Sequence, residues 1–426
     1  MSIGGRRRST LIKPLSDFLK AEAAGGVVVV LAALGALVWA NSPWSGSYVA
    51  LWSTEIGARI GTFAFELDLR HWVNDGLMTI FFFVVGLEIK REFVEGELRE
   101  PRKAVAPVAG AIGGMVLPAL IYVAWTGGTP EAKGWGIPMA TDIALAVGLL
   151  TLGGSRIPSG AKLFLLALAI VDDIGAIVVI ALFYGSGGRP ALILASAGVV
   201  VCVLILRRLG VRSFGVYIGL GVVLWWTLQE AGVHATIAGA IMGVLAPVRP
   251  LLREDLIDVD ELADLTTVEH AVASMQIVRS SVSVVEWLEH KLHSWTSFAV
   301  VPIFALANAG VALSVSSLGD SFRAPITWGI VFGLVLGKPV GIMFATWLVV
   351  RSGIGSLPDD TNWRALLPAA IVAGVGFTVS LLVTELAVSP PATDQAKVGV
   401  IIASVVAGVL ALTFAFRSPE RPPLNH

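Results

Sequence analysis

Long apolar runs separated by short polar segments fill the sequence from about residue 25 to residue 416. A helix needs about 20 mostly apolar residues to cross a bilayer. By this measure the pattern predicts about twelve transmembrane helices, with the approximate ranges 25–40, 72–90, 104–125, 135–152, 163–184, 191–209, 214–228, 233–247, 287–313, 328–350, 366–388 and 398–416. The sequence therefore predicts an all-α, polytopic membrane protein.

Polar residues gather at the chain ends and in a few longer segments between the runs. Residues 1–20 have an amphipathic pattern, which predicts a helix on the membrane surface ahead of the first span. Residues 249–284 form the longest polar loop, and residues 417–426 form a polar tail. The polar segment 41–67 fits either a short hairpin or a subunit contact. We predict a single membrane-embedded domain, residues 1–426, that carries these segments.

Lysine and arginine are concentrated in alternate polar segments of the chain. These segments are 1–20, 90–103, 154–162, 207–213, 249–284, 351–364 and 417–426. Positively charged loops stay in the cytoplasm, so the pattern assigns all of them to that side of the cell membrane. The loops between them are expected outside and hold few basic residues, namely Arg59, Arg70, Lys133, Arg189, Arg323 and Lys397. An even number of spans then puts both termini in the cytoplasm. The sequence does not decide between a monomer and a homodimer.

Composition agrees with a membrane protein and excludes other classes. The 426 residues are 55% hydrophobic and only 14% charged, with a mean hydropathy of +0.81, whereas a soluble domain carries about 25% charged residues. The formal net charge of −1 lacks the basic excess that a nucleic-acid partner requires. Cys202 is the only cysteine, so no disulfide forms within the chain.

Two adjacent aspartates, Asp172 and Asp173, lie near the middle of the predicted span 163–184. An ionisable group at this depth costs about 2.5 to 3.5 kcal/mol on insertion scales. Successive residues of a helix point about 100° apart, so the two carboxylates cannot share one face. One can face a water-filled cavity while the other faces a neighbouring helix. This arrangement suits an ion site with its own countercharge.

A third membrane carboxylate, Asp142, lies in the sequence GIPMATDIALAVG, just after Pro138 and Thr141. Proline removes a backbone donor and disfavours helix at the residue before it. Backbone groups freed in this way are tolerated in a bilayer only inside protein or around a cavity. We therefore predict an interrupted helix with an ion site at its break. The alternative is a simple kink in which Asp142 is hydrogen-bonded to a neighbour.

Lys338 lies near the centre of another span, in VFGLVLGKPVGIMF. About ten mostly apolar residues on each side keep its ammonium group from reaching the membrane surface. It must therefore be deprotonated, hydrated or paired with an acid. A buried lysine changes its protonation state readily, which makes Lys338 a candidate proton carrier as well as a countercharge. The alternative is a static structural ion pair.

A second interruption is predicted at residues 373–380, AGVGFTVS. Gly374 and Gly376 weaken a helix, and the Thr378 hydroxyl can bond to carbonyls that a break frees. Alone this signal is weak, because glycine is common in membrane helices. Paired with the break near Asp142 in the other half of the chain, it indicates an inverted-repeat transporter.

Seven sequence motifs together resemble one family over the range from about Leu15 to Phe416. They are ATDIALAVG, AIVDDIGAIVVIALFY, GVHATIAG, LEHKLHSW, PIFALANAGV, LGKPVGI and AGVGFTVS. The combination closely resembles the NhaA family of bacterial sodium/proton antiporters. Interrupted helices that cross at mid-membrane, built from inverted repeats, are a known property of that family, so this expectation is in part inherited from the resemblance.

The resemblance implies a role for each buried charge. Asp173 would be the principal sodium ligand, and Asp172 would be the partner of Lys338. Asp142 and Thr141 would form the site at the broken helix, with all three aspartates as ligands of the transported ion. The implied activity is electrogenic exchange of cytoplasmic Na⁺ or Li⁺ for external H⁺ in a bacterial cell membrane, which serves pH and sodium homeostasis. No cofactor is expected besides the transported ions.

The resemblance also implies a pH-sensing cluster near the cytoplasmic surface. Its members would be Glu88, Arg91, Glu92, Glu289, His290 and His293. Glu289 and His293 are four residues apart and so share one helical face. Histidine titrates in the range that such a switch needs. The alternative is an ordinary polar cap at the membrane surface.

Two further polar residues are ambiguous in the sequence. His234, in GVHATIAG, fits either a modulating role in pH sensing or a hydrogen-bonded structural role. Asp75, in WVNDGLM at the start of the second span, fits either the lining of an outer funnel or the cap of a helix N-terminus.

Other classes of membrane protein explain these residues less well. An intramembrane aspartyl protease needs its two carboxylates on separate spans, whereas Asp172 and Asp173 are adjacent. A retinal protein would use Lys338 as a Schiff base, which twelve spans and two breaks argue against. No glycine loop ending in Gly-Lys-Ser/Thr is present, which argues against ATP-driven pumping. A uniport channel with the same ligands stays open on sequence alone.

Overall fold

The computed structural model describes residues 6–60, 63–94, 96–185, 188–211, 213–246, 284–358 and 360–417, and most of these are helical. The α-helices are α1 (Arg6–Ala40), α2 (Ser45–Trp52), α3 (Leu69–Val94), α4 (Pro101–Thr126), α5 (Ile143–Leu152), α6 (Ser159–Phe183), α7 (Pro190–Arg208), α8 (Phe214–Glu230), α9 (Thr236–Leu245), α10 (Val284–Trp295), α11 (Val301–Asn308), α12 (Val315–Arg323), α13 (Pro325–Arg351), α14 (Trp363–Val372), α15 (Phe377–Ala387) and α16 (Ala392–Arg417). The predicted loop 249–284 and tail 417–426 lie outside the described residues except for residues 284 and 417.

Among the described residues, seven helices are long and apolar enough to cross a membrane. Two further pairs reach that length together, although each is bent at a short break, which gives nine candidate spans. The multi-pass, helical character predicted from the apolar runs is thus confirmed. The predicted total of about twelve additionally needs α8, α9 and the helical stretch 284–308 as spans.

The N-terminal helix and the following segment refine two expectations. From Arg6 onward, the predicted surface segment and the first span are parts of one continuous helix, α1. In the segment 41–67, strands β1 (Glu55–Ile60) and β2 (Phe63–Asp68) pair as an antiparallel hairpin. This hairpin is an exception to the all-α expectation. A subunit contact in this segment stays a prediction.

The described residues within 1–78, 100–186 and 297–426 form one compact unit. Its helices approach each other through small residues. A Cβ on Gly341 of α13 would lie 2.1 Å from the Gly113 carbonyl oxygen of α4, so only glycine fits at this contact. Helix α1 packs against α5 in the same way, since a Cβ on Gly26 would lie 3.0 Å from the Ala144 carbonyl oxygen. Such close contacts are typical of membrane helices, which gain little from apolar burial alone.

The described residues within 79–99 and 187–296 form a second compact unit, whereas a single domain was predicted. Within it, the C-terminal part of α3 packs closely against α9. A Cβ on Gly239 would lie 2.0 Å from the Thr79 carbonyl oxygen. Leu87, Ala246 and Leu288 form a buried apolar cluster beside this contact. The cluster fixes the ends of α3, α9 and α10 relative to each other within the unit.

Candidate functional site

The first helix break separates a 3₁₀ segment, Pro130–Met139, from α5, and the two axes differ by 46°. Ala140 is extended, with φ −81° and ψ 150°, and Asp142 is the N-cap of α5. The Asp142 side chain accepts a hydrogen bond from the Leu145 N–H at 3.1 Å. The break follows Pro138 closely, and Asp142 satisfies a backbone donor that the interruption leaves free.

The second break lies between α14 and α15, whose axes differ by 45°. Its two glycines occupy places without room for a side chain. A Cβ on Gly374 would lie 2.4 Å from the Leu334 carbonyl oxygen. A Cβ on Gly376 would lie 2.2 Å from Ser380 Oγ and 3.0 Å from the Ala140 carbonyl oxygen. The glycines are thus required for close backbone approach, in addition to weakening the helix.

Hydrogen bonds join the two breaks directly. The Asp142 N–H donates to the Val375 carbonyl oxygen at 2.8 Å. The Thr141 hydroxyl donates to the Ala373 carbonyl oxygen at 2.9 Å. In return, Thr378 donates to Asp142 Oδ2 from its hydroxyl at 2.6 Å and from its N–H at 3.1 Å. Each interruption therefore satisfies polar groups of the other, as burial away from water requires.

Lys338 and Asp172 form a buried ion pair beside the first break. Lys338 Nζ lies 2.8 Å from Asp172 Oδ2, and both side chains are 0% exposed. The Thr141 hydroxyl lies 2.7 Å from the same carboxylate oxygen, so its single proton has two acceptors, Asp172 Oδ2 and the Ala373 carbonyl oxygen. Lys338 Nζ also donates to the Met139 carbonyl oxygen. Both charges are thus compensated by each other and by polar groups of the break, without which their burial would be costly.

Helix ends contribute to the electrostatics of both charged groups. Asp142 accepts backbone hydrogen bonds at the N-termini of α5 and α15, where the helix dipole favours negative charge. Lys338 donates to Met139, the last residue of the 3₁₀ segment, where free carbonyls favour positive charge. The two breaks therefore present a positive end to the carboxylate and a negative end to the ammonium group.

Asp172 Oδ1 and Asp173 complete the buried acidic groups of the site. Asp172 Oδ1 is buried and has no hydrogen-bond partner among the described residues. Asp173 is 2% exposed, and its charge acts on Lys338. One turn farther along α6, Ala176 packs with Ala140 and Val379, so both breaks adjoin α6 at this level.

The three aspartates are buried in one region but do not form a ready metal centre. Within the described ranges, no three carboxylate, imidazole or thiol side chains are gathered closely enough to hold a metal ion. Asp142 is engaged by Thr378, and Asp172 is engaged by Lys338 and Thr141. The arrangement can instead exchange a proton or a monovalent cation on a carboxylate oxygen, since such an ion needs fewer charged ligands.

The predicted pH-sensing residues lie in the second compact unit, where four of them form two ion pairs. Arg91 and Glu289 are joined by a short hydrogen-bonded contact. His293 Nδ1 lies 3.7 Å from Glu88 Oε1. Glu92 of the same set is half-buried, and His290 is exposed.

His234 lies apart from this cluster. It precedes α9, whereas Ala246 at the other end of α9 packs beside Leu87 and Leu288. A helix of this length separates its ends by about 15 Å. The structure therefore does not bring His234 together with Glu289 and its neighbours.

Asp75 does not cap the second span. Helix α3 begins at Leu69, and Asp68 is its N-cap, accepting a hydrogen bond from the His71 N–H at 2.7 Å. The capping interpretation of Asp75 is therefore wrong, because the helix starts earlier than the apolar run. Asp75 is buried in a π-helical turn, and the adjacent Asn74 exchanges side-chain hydrogen bonds with Asn308.

Two further buried charges of the first compact unit were not predicted. Glu22 of α1 is 4% exposed, and its charge acts on Asp142. Lys397 was expected in an outer loop, but it is 3% exposed and paired with Glu385. Both residues lie just outside the ends of predicted spans, where a charged residue is expected to belong to a polar loop. Their apolar neighbours on both sides were the signal that could have identified them.

Several known proteins resemble this chain over most of its length. The family model described as Na⁺/H⁺ antiporter 1 matches residues 16–414. The chain is 46% identical over 421 residues to the Na(+)/H(+) antiporter NhaA 2 of Sorangium cellulosum, covering 94% of this chain and 89% of that protein. It is 44% identical over 430 residues to the Na(+)/H(+) antiporter NhaA 3 of Frankia alni, covering 99% and 92%.

A solved structure shares the fold at low sequence identity. The sodium proton antiporter MjNhaP1 from Methanocaldococcus jannaschii, solved at pH 8, matches with a TM-score of 0.50 and 12% identity. The match covers 96% of this chain and 99% of that one. At this identity the likeness concerns the fold alone.

Proposed function

The chain belongs to the Na⁺/H⁺ antiporter 1 family, and from this membership we propose that it exchanges cytoplasmic Na⁺ or Li⁺ for external protons. The resemblance inferred from its motifs is confirmed, and the protein is a transporter and not an enzyme. The single observation that carries the proposal is the buried arrangement of Asp142, Asp172 and Lys338 at two hydrogen-bonded helix breaks.

In this proposal, sodium ions and protons compete for the same carboxylate oxygens. A hard cation binds deprotonated oxygen ligands, and a proton on those oxygens excludes it. The unpartnered oxygen Asp172 Oδ1 supports this role, since a proton or cation there would satisfy a buried acceptor. Asp173 is the proposed principal ligand of the cation, with Asp142 and Thr141 contributing from the first break.

Lys338 is the proposed countercharge of the empty site and a proton carrier. Its ammonium group is stabilised by Asp172 at 2.8 Å. A cation that binds Asp172 would weaken that attraction and leave a buried ammonium group without compensation. The lysine would then lose its proton more readily, so cation binding and proton release would be coupled.

Electrogenic exchange is proposed to follow if more protons than sodium ions move in each cycle. The membrane potential would then contribute about 2.3 kcal/mol per net charge per 100 mV. With protons entering and Na⁺ or Li⁺ leaving, a potential that is negative inside drives export. The same coupling would serve both pH and sodium homeostasis.

The membrane arrangement is proposed on the same grounds. About twelve spans with both termini in the cytoplasm would satisfy the distribution of lysine and arginine. The two interrupted helices would cross at mid-membrane as parts of inverted repeats. The direct hydrogen bonds between residues 141–142 and residues 373–378 support this crossing.

Regulation by pH is proposed for the cluster of Glu88, Arg91, Glu289 and His293. Protonation of His293 beside Glu88 would strengthen their pairing and change the charge of the cluster. Glu92 and His290 lie on the same two helices and are proposed as its outer members. His234 is separated from this cluster by the length of α9, so we assign it at most a minor role in pH sensing.

Sodium-induced dissipation of ΔpH in everted membrane vesicles tests the function. The Asp173→Asn variant is expected to lose the signal, because it removes the proposed principal charge on the cation. The matched control is Asp320→Asn, which changes an exposed aspartate of α12 and should retain wild-type exchange. A wild-type signal from Asp173→Asn would overturn the proposal.

A further inference from the structure

A second buried ion pair lies away from the three aspartates and Lys338. Lys397 Nζ is 2.5 Å from Glu385 Oε1. The Lys397 side chain is 4% exposed and the Glu385 side chain is 17% exposed. Glu385 belongs to the last turns of α15, and Lys397 belongs to the first turns of α16. The pair therefore joins the end of an interrupted helix to its neighbour.

Stability alone does not explain this pair. Removing two charges from water is costly, and well-packed apolar residues of similar volume often stabilise a protein as much or more. A buried pair of opposite charges does, however, favour one alignment of two helices over others, because any shift separates the charges.

The other end of α15 holds Asp142. Thr378 donates two hydrogen bonds to Asp142 Oδ2, and the Ser380 hydroxyl donates to the Ile137 carbonyl oxygen at 2.8 Å. These contacts occupy the first turn of α15. Glu385 lies about 10 Å farther along the same helix axis. A displacement at Glu385 is therefore transmitted to the first turn, since a helix of three turns moves as a rigid rod.

Helix α16 gives Lys397 a firm support. The Thr327 hydroxyl of α13 donates to the Gln395 carbonyl oxygen at 3.0 Å. A Cβ on Gly399 would lie 3.0 Å from the Thr327 carbonyl oxygen, so α16 and α13 are in close backbone contact here. The ion pair thus anchors α15 to a part of the first compact unit that is itself tightly packed.

We propose that Glu385 and Lys397 are positioning residues, whose ion pair fixes α15 and thereby sets the cation affinity of the site at Asp142. This inference rests on the proposed role of Asp142 in cation binding. The pair does not contact the transported ion. It acts through Thr378, and its loss should therefore change the apparent affinity more than the maximal rate.

The test compares four variants by the apparent KM for Na⁺ and the maximal exchange rate in everted vesicles. Glu385→Gln, Lys397→Met and their combination should each raise the apparent KM by about 3- to 10-fold, with the maximal rate within about twofold of wild type. The exchange variant, E385K with K397E, restores the opposite charges and should return the KM to within about twofold of wild type.

An exposed ion pair provides the matched control. Lys103 Nζ lies 3.0 Å from Glu100 Oε2, with both side chains more than half exposed. Lys103→Met should leave the KM unchanged, because an exposed pair contributes little. If a single variant fails to fold, the KM values of the combined neutral variant and the exchange variant still test the inference, since neither variant leaves one buried charge alone.

Two results would overturn the inference. One is a wild-type KM in the combined neutral variant. The other is an exchange variant whose KM is raised as much as that of the single variants. Asp142→Asn separates this inference from the proposed function. A wild-type KM in Asp142→Asn contradicts the proposed role of Asp142 in cation binding, whereas inactive Asp142→Asn with unchanged pair variants contradicts only the positioning role of Glu385 and Lys397.

Discussion

The ion pair at the helix breaks and the ion pairs of the proposed pH-sensing cluster compensate their charges in different ways. Lys338 and Asp172 are fully buried, and Thr141 and the Met139 carbonyl also bond to them. In the cluster, the Arg91 side chain is 33% exposed beside Glu289. Water can reach Arg91 in the cluster, although Glu289 is only 5% exposed, whereas neither charge at the breaks is exposed. Changes at the breaks should therefore be severe, and changes in the cluster should be graded.

The largest expected effect follows from removing one member of the buried pair. Lys338→Met leaves Asp172 as an uncompensated buried charge and should destabilise the protein by about 3 to 5 kcal/mol. The melting temperature of the purified protein in detergent measures this loss. The double variant Lys338→Met with Asp172→Asn should regain most of it, because no charge is left alone. A double variant as unstable as the single one would contradict the compensation argument.

A smaller and more specific effect is expected at Thr378. Thr378→Val keeps the shape of the side chain but removes the hydroxyl that donates to Asp142 Oδ2 at 2.6 Å. A hydrogen bond to a charged group contributes about 1.5 to 3 kcal/mol, so the apparent KM for Na⁺ should rise about tenfold or more. The rise in KM should shrink at alkaline pH, because fewer protons then compete with Na⁺ for the Asp142 carboxylate.

Thr378→Ser is the matched control for that change. It keeps the hydroxyl and should retain a KM close to wild type at every pH. Equal KM values for the valine and serine variants would show that the hydroxyl bond to Asp142 does not contribute to cation binding. In that case the second break would serve only to shape the backbone.

Residue types and spacing predicted the two breaks and the buried acids at them. Pro138 and Asp142 indicated the first interruption, and Gly374 and Gly376 indicated the second; the bent pairs at 46° and 45° match both. Each break has a local cause, such as a missing backbone donor or a weak helix former. Local causes are visible in one sequence.

Contacts that depend on distant partners were not predictable in this way. Lys397 looked like an outer loop residue, because only the structure shows Glu385 beside it. The start of α3 at Leu69 was missed for a related reason, since Arg70 and His71 are polar although they belong to the helix. Hydropathy reports how polar a residue is but not whether a partner compensates it.

The smallest effect is expected in the proposed pH-sensing cluster. Glu289→Gln removes a negative charge from the helical face that it shares with His293, so protonated His293 is less stabilised. The curve of activity against pH should move to lower pH by less than about one unit, because a partly exposed ion pair contributes about 1 kcal/mol or less. The maximal rate should be unchanged. An activity curve that does not shift in Glu289→Gln would contradict the proposed role of this cluster in pH sensing.

Two histidine variants show how far the sensor extends. His290→Gln changes an exposed neighbour and should leave the curve nearly in place. His234→Gln should also have little effect, because its separation of about 15 Å along α9 exceeds the screening length of about 8 Å at physiological ionic strength. If His234→Gln moved the curve as far as Glu289→Gln does, pH sensing would have to involve the far end of α9. The graded behaviour would then arise from several separate groups along α9.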